Sequence, residues 1–235
     1  MRIDKLISEM GIASRKEAAR VAKTGGVLLN GVAVRDLSIH IDEDVDVISY
    51  LDRVINYKKY VYIMLNKPEG YVSATEDTKL PVVTDLLTDE LRRMELFPVG
   101  RLDKDTVGLM ILTNNGNLAH RLLSPKRHVE KEYFFRAKEP LAEGVEEKFK
   151  DGIILADGYE CKEAGIVLSP SRDEGYITLT EGKYHQIKRM LGALDNRIVY
   201  LERVRFADIT LDTSLSRGEW RELTPEEERG LCALA

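Results

Sequence analysis

Cysteine is nearly absent. The 235 residues include only Cys161 and Cys232, which have neither the spacing of a thiolate metal site nor the number for a disulfide framework. No apolar run approaches the roughly 20 residues that span a bilayer, and Met1-Arg2-Ile3-Asp4 does not begin a signal peptide. His-Glu-x-x-His pairs, Gly-rich phosphate loops and dinucleotide fingerprints are all missing. Together these absences lead us to expect a reduced, cytoplasmic protein with no metal and no organic cofactor. A sustained apolar heptad is also lacking, so a monomer is expected.

Hydrophobic residues make up 43% of the chain, which excludes a wholly disordered protein. The net charge of −5 argues weakly against nucleic acid, but the charge is unevenly spread. Residues 1–36 hold seven basic and four acidic side chains, whereas residues 37–52 hold five acids and no Lys or Arg. Basic residues outnumber acidic ones by six to two over 121–138 and again over 182–205. A phosphate backbone responds to such local patches and not to the whole-chain sum. For any one patch, scattered solvated charge is the alternative.

Residues 1–50 have the pattern of a small module. Ile3, Leu6, Ile7 and Met10 recur at helical spacing and Gly11 ends the run. Ser14-Arg15-Lys16-Glu17 is a capping box that opens a second helix, which stops at Gly25-Gly26. Val27 to Val34 places Asn30-Gly31 between apolar arms, a strong hairpin signal. A further strand is expected around Val45 to Ile48, and the polar stretch 51–59 suggests a linker. Two short helices followed by a Val-x-Leu-Asn-Gly hairpin resemble the S4 RNA-binding domain. That resemblance implies phosphate contacts from Arg2, Lys5, Arg15, Lys16, Arg20 and Lys23, with a solvated helix face as the alternative for each.

Beyond residue 59, Tyr60 to Leu65 is a buried strand leading into Asn66-Lys67-Pro68-Glu69-Gly70. A helix is expected over 84–94, with Leu86, Leu87, Leu91 and Met94 as its packing stripe. The chain is organised around Gly100-Arg101-Leu102-Asp103-Lys104-Asp105-Thr106-Val107-Gly108-Leu109, continued by an apolar run to Leu112 and the turn Asn114-Asn115-Gly116. Charged side chains held between two apolar arms sit where a carboxylate can be fixed and partly desolvated. From pattern alone, a turn whose Asp and Thr side chains bond their own backbone explains the same residues. Further on come a helix from Asn117 to Leu123, a strand containing Lys131 and Tyr133, a helix over 143–150 and antiparallel strands within 153–180. Gly182-Lys183-Tyr184-His185-Gln186-Ile187-Lys188-Arg189 then opens a helix expected to begin at Tyr184, followed by a strand over 196–205 and a closing acidic helix.

The stretch from Gly100 to Gly116 resembles the signature of bacterial ribosomal-RNA pseudouridine synthases. Lys-Pro-x-Gly at 67–70, Lys-x-Tyr at 131–133 and the His-Gln-Ile-Lys run at 185–188 are similar to further motifs of that family. The resemblance implies an α+β chain: an S4 domain at 1–50, a linker at 51–59 and a catalytic domain at 60–235 with a largely antiparallel mixed sheet. It implies isomerisation of a flipped-out uridine in ribosomal RNA, most closely the small-subunit (16S) branch. Asp103 is the implied catalytic carboxylate, as nucleophile or as base toward a ribose proton. Lys188 is its implied charge partner, and Tyr133 the ring against the target base. Arg101 is implied to fill the vacated stack or hold a phosphate, with a structural salt bridge as its alternative. His185 lacks any carboxylate at suggestive spacing and is expected to be structural. The alternatives are a large-subunit (23S) target, or an assembly factor that binds RNA through its S4 domain without turnover.

Overall fold

The structure, a computed structural model, describes residues 1–43 and 45–234. The chain divides into two compact units. One is formed by Met1–Val61 with Leu87–Leu96, the other by Tyr62–Leu86 with Phe97 onward.

In the first unit, α1 (Ile3–Glu9) and α2 (Arg15–Lys23) pack on a small sheet of β1 (Val27–Leu29), β2 (Val32–Ala33), β3 (Ile48–Tyr50) and β4 (Arg53–Val54). The strand order is β2-β1-β3-β4, all antiparallel. The capping box forms as expected. The Ser14 amide donates to Glu17 Oε2 at 2.8 Å and the Glu17 amide to Ser14 Oγ at 3.3 Å. Asn30 and Gly31 take φ values of 51° and 80°, the pair a tight two-residue hairpin turn demands. The strand expected at Val45 begins only at Ile48, because the Asn30 and Asp46 side chains bond the backbone and each other before it.

Residues 51–59, which composition suggests as a linker, instead carry β4 and bury Ile55 in the small core. Leu51 and Asp52 turn between β3 and β4 at φ 47° and 65°, a conformation leucine does not advertise. The single helix expected over 84–94 is also broken. A 3-10 turn at Val83–Leu86 is followed by α3 (Asp89–Arg93), whose first turn is capped by the Thr88 hydroxyl. Helix α3 belongs to the first unit. Arg93 donates to the Gly11 and Ile12 carbonyls at 3.4 and 3.3 Å, and Arg53 forms a fork with Glu90.

The second unit is built on β5 (Tyr62–Lys67), β6 (Phe97–Pro98), β7 (Val107–Thr113), β8 (Lys131–Ala137), β9 (Gly165–Leu168), β10 (Glu174–Leu179), β11 (Ile198–Phe206), β12 (Ile209–Thr210) and β13 (Trp220–Glu222). The main order is β13-β5-β7-β11-β8-β10-β9. Among the strands of the described residues only β7 and β11 pair in parallel, so the sheet is mixed and largely antiparallel, as the resemblance implies. Helices α4 (Gly116–Leu123), α5 (Val145–Asp151), α6 (Gln186–Gly192) and α7 (Pro225–Ala233) complete it. Strands β5 and β7 are buried along their whole lengths, which accounts for their unbroken apolar runs. Two hydrophobic clusters result: one around Met64, Leu109, Ile111 and Phe206, the other around Phe135, Phe149, Ile177 and Met190. No helix among the described residues is long and apolar enough to cross a membrane.

Gly108 marks where the loop carrying Asp103 enters the parallel pairing. Its φ is +95°, and a Cβ there would lie 2.4 Å from the Arg203 carbonyl oxygen. Gly108→Ala is expected to cost about 3 kcal/mol through strain and backbone clash. The measurement is urea unfolding, with a lower midpoint at unchanged slope.

Candidate active site

The loop between β6 and β7 is pinned from one side by the chain leaving β5. Lys67 is completely buried. Its ammonium donates to the carbonyls of Thr106 at 2.8 Å, Pro68 and Asp103 at 3.1 Å, and Lys104 at 3.3 Å. The Gly70 amide donates to the Lys104 carbonyl at 2.9 Å. Ser73 clamps Leu102 twice, its hydroxyl donating to the carbonyl at 2.8 Å and accepting from the amide at 2.9 Å. The backbone on both sides of Asp103 is therefore fixed by Lys67-Pro68-Glu69-Gly70 and its continuation. The sequence marks this stretch only by the likeness of Lys-Pro-x-Gly to a family motif. The buried ammonium is not legible, beyond the oddity of a lysine ending an otherwise apolar strand.

The side chain of Asp103 projects into a pocket that also takes in Arg101, Tyr133, Glu181, His185 and Lys188, with Leu179, Ile187 and Leu201 as apolar lining. Lys188, on α6, places its ammonium 2.8 Å from Asp103 Oδ2 and 2.5 Å from Asp105 Oδ1. Residues 85 apart in sequence thus meet in an ion pair. For Lys188, burial disfavours the charge, but the hydrogen bonds and charges of Asp103 and Asp105 outweigh it and hold its proton more tightly than in an ordinary lysine. For Asp105, burial pushes the carboxyl up, and the Lys188 hydrogen bond and charge more than reverse this. The sharing of one ammonium by two carboxylates is not expected from the sequence, although Asp-Lys-Asp places both on one turn.

Tyr133 lies half-buried on β8, opposite Ile177 on β10 and Arg203 on β11. Arg203 is fully buried and donates to the Leu109 carbonyl at 2.7 Å. Burial disfavours its charge, and the Tyr133 hydroxyl partly compensates. Arg203 is thus the cross-strand neighbour of Tyr133 and bonds the backbone of the strand that follows Asp103. The basic excess over 182–205 counts this arginine as surface charge, and the structure corrects that. Lys131, in the other basic patch, is likewise drawn inward and donates to the Val129 carbonyl at 2.9 Å.

Three expectations change around the pocket. The helix begins at Gln186 and not at Tyr184, because Gln186 accepts from the Lys183 amide and donates to Glu181, leaving His185 at φ 49°. His185 is not remote from a carboxylate, since its Nε2 lies 3.5 Å from Asp103 Oδ1. Arg101 is exposed at the pocket and makes no ion pair among the described residues, which removes its structural salt-bridge reading. In the first unit, Arg15, Lys16, Arg20 and Lys23 are exposed on or beside α2. Arg2 is forked onto Asp4 at 2.9 and 3.0 Å, and Lys5 pairs with Glu9 at 3.5 Å. No cluster of metal-ligating side chains occurs among the described residues.

Burial of Lys67 pushes its proton affinity down to about 8, against opposing pulls from Asp105 and Asp103. Burial and then Arg203 push Lys131 down to about 8, with Glu181 opposing. The unfolded chain therefore binds more protons at these two sites between about pH 8 and the ordinary lysine value. Their contribution to stability rises with pH through that window. Lys67→Met is expected to remove its share of the rise. It should also cost about 3 kcal/mol at neutral pH, because four carbonyls lose a buried donor. Urea unfolding across this pH range, with amide exchange of residues 102–106, measures both effects.

Residues 61–193 match the family model described as RNA pseudouridylate synthase, and residues 1–47 match that of the S4 domain. An RNA pseudouridine synthase of Bacillus subtilis, strain 168, is 44% identical, covering 97% of this chain and 96% of its own. The ribosomal small subunit pseudouridine synthase A of Yersinia pestis is 39% identical over 97% and 96%, and that of Escherichia coli K12 is 37% identical over 97% and 98%. A crystal structure of a pseudouridylate synthase superposes with a TM-score of 0.69 at 35% identity, covering 98% of this chain and 99% of that one. The chain belongs to the RNA pseudouridylate synthase family and is a pseudouridine synthase with an S4 domain at its N-terminal end.

Proposed function

We propose that this enzyme converts one specific uridine of ribosomal RNA to pseudouridine, and that its target lies in the small-subunit (16S) rRNA. The observation that carries the catalytic assignment is the Asp103–Lys188 pair at 2.8 Å, set in a pocket beside Tyr133. The target assignment rests on relatives named for the small ribosomal subunit, which align over nearly the whole chain.

In the proposed reaction, the bond from ribose C1′ to uracil N1 breaks, the base turns, and a bond from C1′ to C5 forms. The C5 proton leaves and N1 ends protonated, so atoms balance without a redox step. Asp103 acts on the sugar side, by attack or by taking a ribose proton, with the Lys188 ammonium 2.8 Å from its carboxylate. Tyr133 offers its ring to the uracil and its hydroxyl to the proton transfer at C5. A uridine in a helix must leave its stack to enter the pocket, which costs a few kcal/mol. Arg101, exposed at the rim, is suited to holding the displaced strand by a phosphate or by stacking. The exposed basic residues of α2 grip neighbouring RNA by backbone and shape.

Asp103→Asn is expected to retain RNA binding and lose product completely. Carbodiimide mapping of rRNA from cells lacking the gene should lose one stop in the small-subunit rRNA, restored by wild type and not by Asp103→Asn. Loss of a large-subunit stop would move the target, and no loss would refute the rRNA assignment. Lys188→Met is expected to lower kcat by about a hundredfold or more with a smaller effect on KM. Replacing Arg15, Lys16, Arg20 and Lys23 by Gln should weaken RNA binding and flatten its dependence on salt by about one unit of log–log slope per lost phosphate contact.

A further inference from the structure

We propose that the stacked rings of Tyr184 and His185 form a platform for the nucleobase next to the target uridine, a subsite for single-stranded RNA at the mouth of the pocket. The inference rests on the RNA-uridine reading above and deepens it.

The two rings lie face to face, 3.8 Å between centroids and 20° from parallel. Neighbouring side chains in extended backbone point in opposite directions. Here the left-handed φ of 49° at His185 brings them side by side, a conformation that costs a non-glycine residue energy and persists where its surroundings impose it. Gln186 fixes this kink through the Lys183 amide and the Glu181 carboxylate. The edge of His185 reaches the pocket, with Nε2 3.5 Å from Asp103 Oδ1. Tyr184 lies one ring further out and is 72% exposed. A tyrosine left so open, yet stacked and held in place, contributes little to the core and leaves a planar face uncovered.

Position and charge select the occupant. Tyr133 already supplies a ring inside the pocket, so a base on the outer face of Tyr184 is one step along the strand from the uridine at Asp103. Arg101 and Lys183 are exposed around the same opening, Lys183 with its ammonium 4.6 Å from the Tyr159 ring, and both can face the phosphates beside such a base. Of the nearby acids, Asp105 is bonded to Lys188 and Asp157 to Arg189, and Glu181 is buried and occupied by the Tyr159 hydroxyl, the Lys162 amide and Gln186. Aromatic stacking with flanking cations is how proteins hold single strands without reading a sequence.

The test uses the full-length protein and two fluorescently labelled RNAs. One is a short oligouridylate; the other is the same strand with abasic nucleotides on both sides of its central uridine. Binding is followed by anisotropy for wild type, Tyr184→Ala and Tyr184→Trp, with circular dichroism confirming that each is folded. Tyr184→Ala should weaken binding of the intact strand by about fivefold or more, and Tyr184→Trp should bind at least as well as wild type. On the abasic strand, all three should bind alike. Equal loss on both strands, or no loss on either, would overturn the platform. This assay does not depend on turnover. A protein that yields no pseudouridine in rRNA yet keeps the base-dependent loss at Tyr184 would lose the functional reading and retain the platform.

Discussion

The buried ammonium of Lys67 is the contact on which the site depends. A lysine removed from water needs compensation, and here it comes from the backbone of the loop that carries Asp103. The requirement runs in both directions. The carbonyls around Asp103 point inward because a donor awaits them, and the donor's buried N–H groups find acceptors because they surround it. Oxygen atoms so occupied cannot serve another loop conformation, so Asp103 is presented in one way before any RNA arrives. Preorganisation of this kind is what a carboxylate acting on a developing charge requires.

On top of that fixed loop, the electrostatics come from elsewhere in the chain. Lys188 reaches back across 85 residues to share its proton-bearing nitrogen between two carboxylates, and Arg203, the cross-strand neighbour of Tyr133, bonds the strand leaving the loop. Charge and ring are set by α6, β8 and β11, whereas the carboxylate is set by β5 and β7. The mixed sheet brings these together, because the parallel β7–β11 pair places the loop that carries Asp103 beside the strand that carries Arg203. Glycine at 108 is the condition for that close approach.

Much of this was legible in the sequence. The buried strands β5 and β7 announce themselves as apolar runs, and the capping box and Asn-Gly turn specify their own geometry. Asp103, Tyr133 and Lys188 were recognisable from motif likeness and are brought into one pocket. What was hidden depends on tertiary surroundings. A lysine in sequence looks like surface charge, yet Lys67 is buried and Lys131 is drawn in. Spacing along the chain could not place His185 beside a carboxylate eighty-odd residues away. Local propensity also failed at Leu51 and at Thr88, where a turn and a cap interrupt patterns that composition alone would have continued.

The division of the chain has a consequence for how this protein can be taken apart. The S4 family model ends at residue 47, and composition suggests a linker at 51–59, so the N-terminal piece invites treatment as a portable cassette. In the folded chain its helices are completed by residues 87–96, whose Arg93 satisfies the carbonyls that close α1 and whose Glu90 backbone fills the space beside Gly11. A transplant cut at either sequence boundary would leave those carbonyls and that surface bare. Exchange of RNA-binding modules between relatives must carry both stretches of chain, which makes the N-terminal unit an inheritance shared with the catalytic sequence and not a removable attachment.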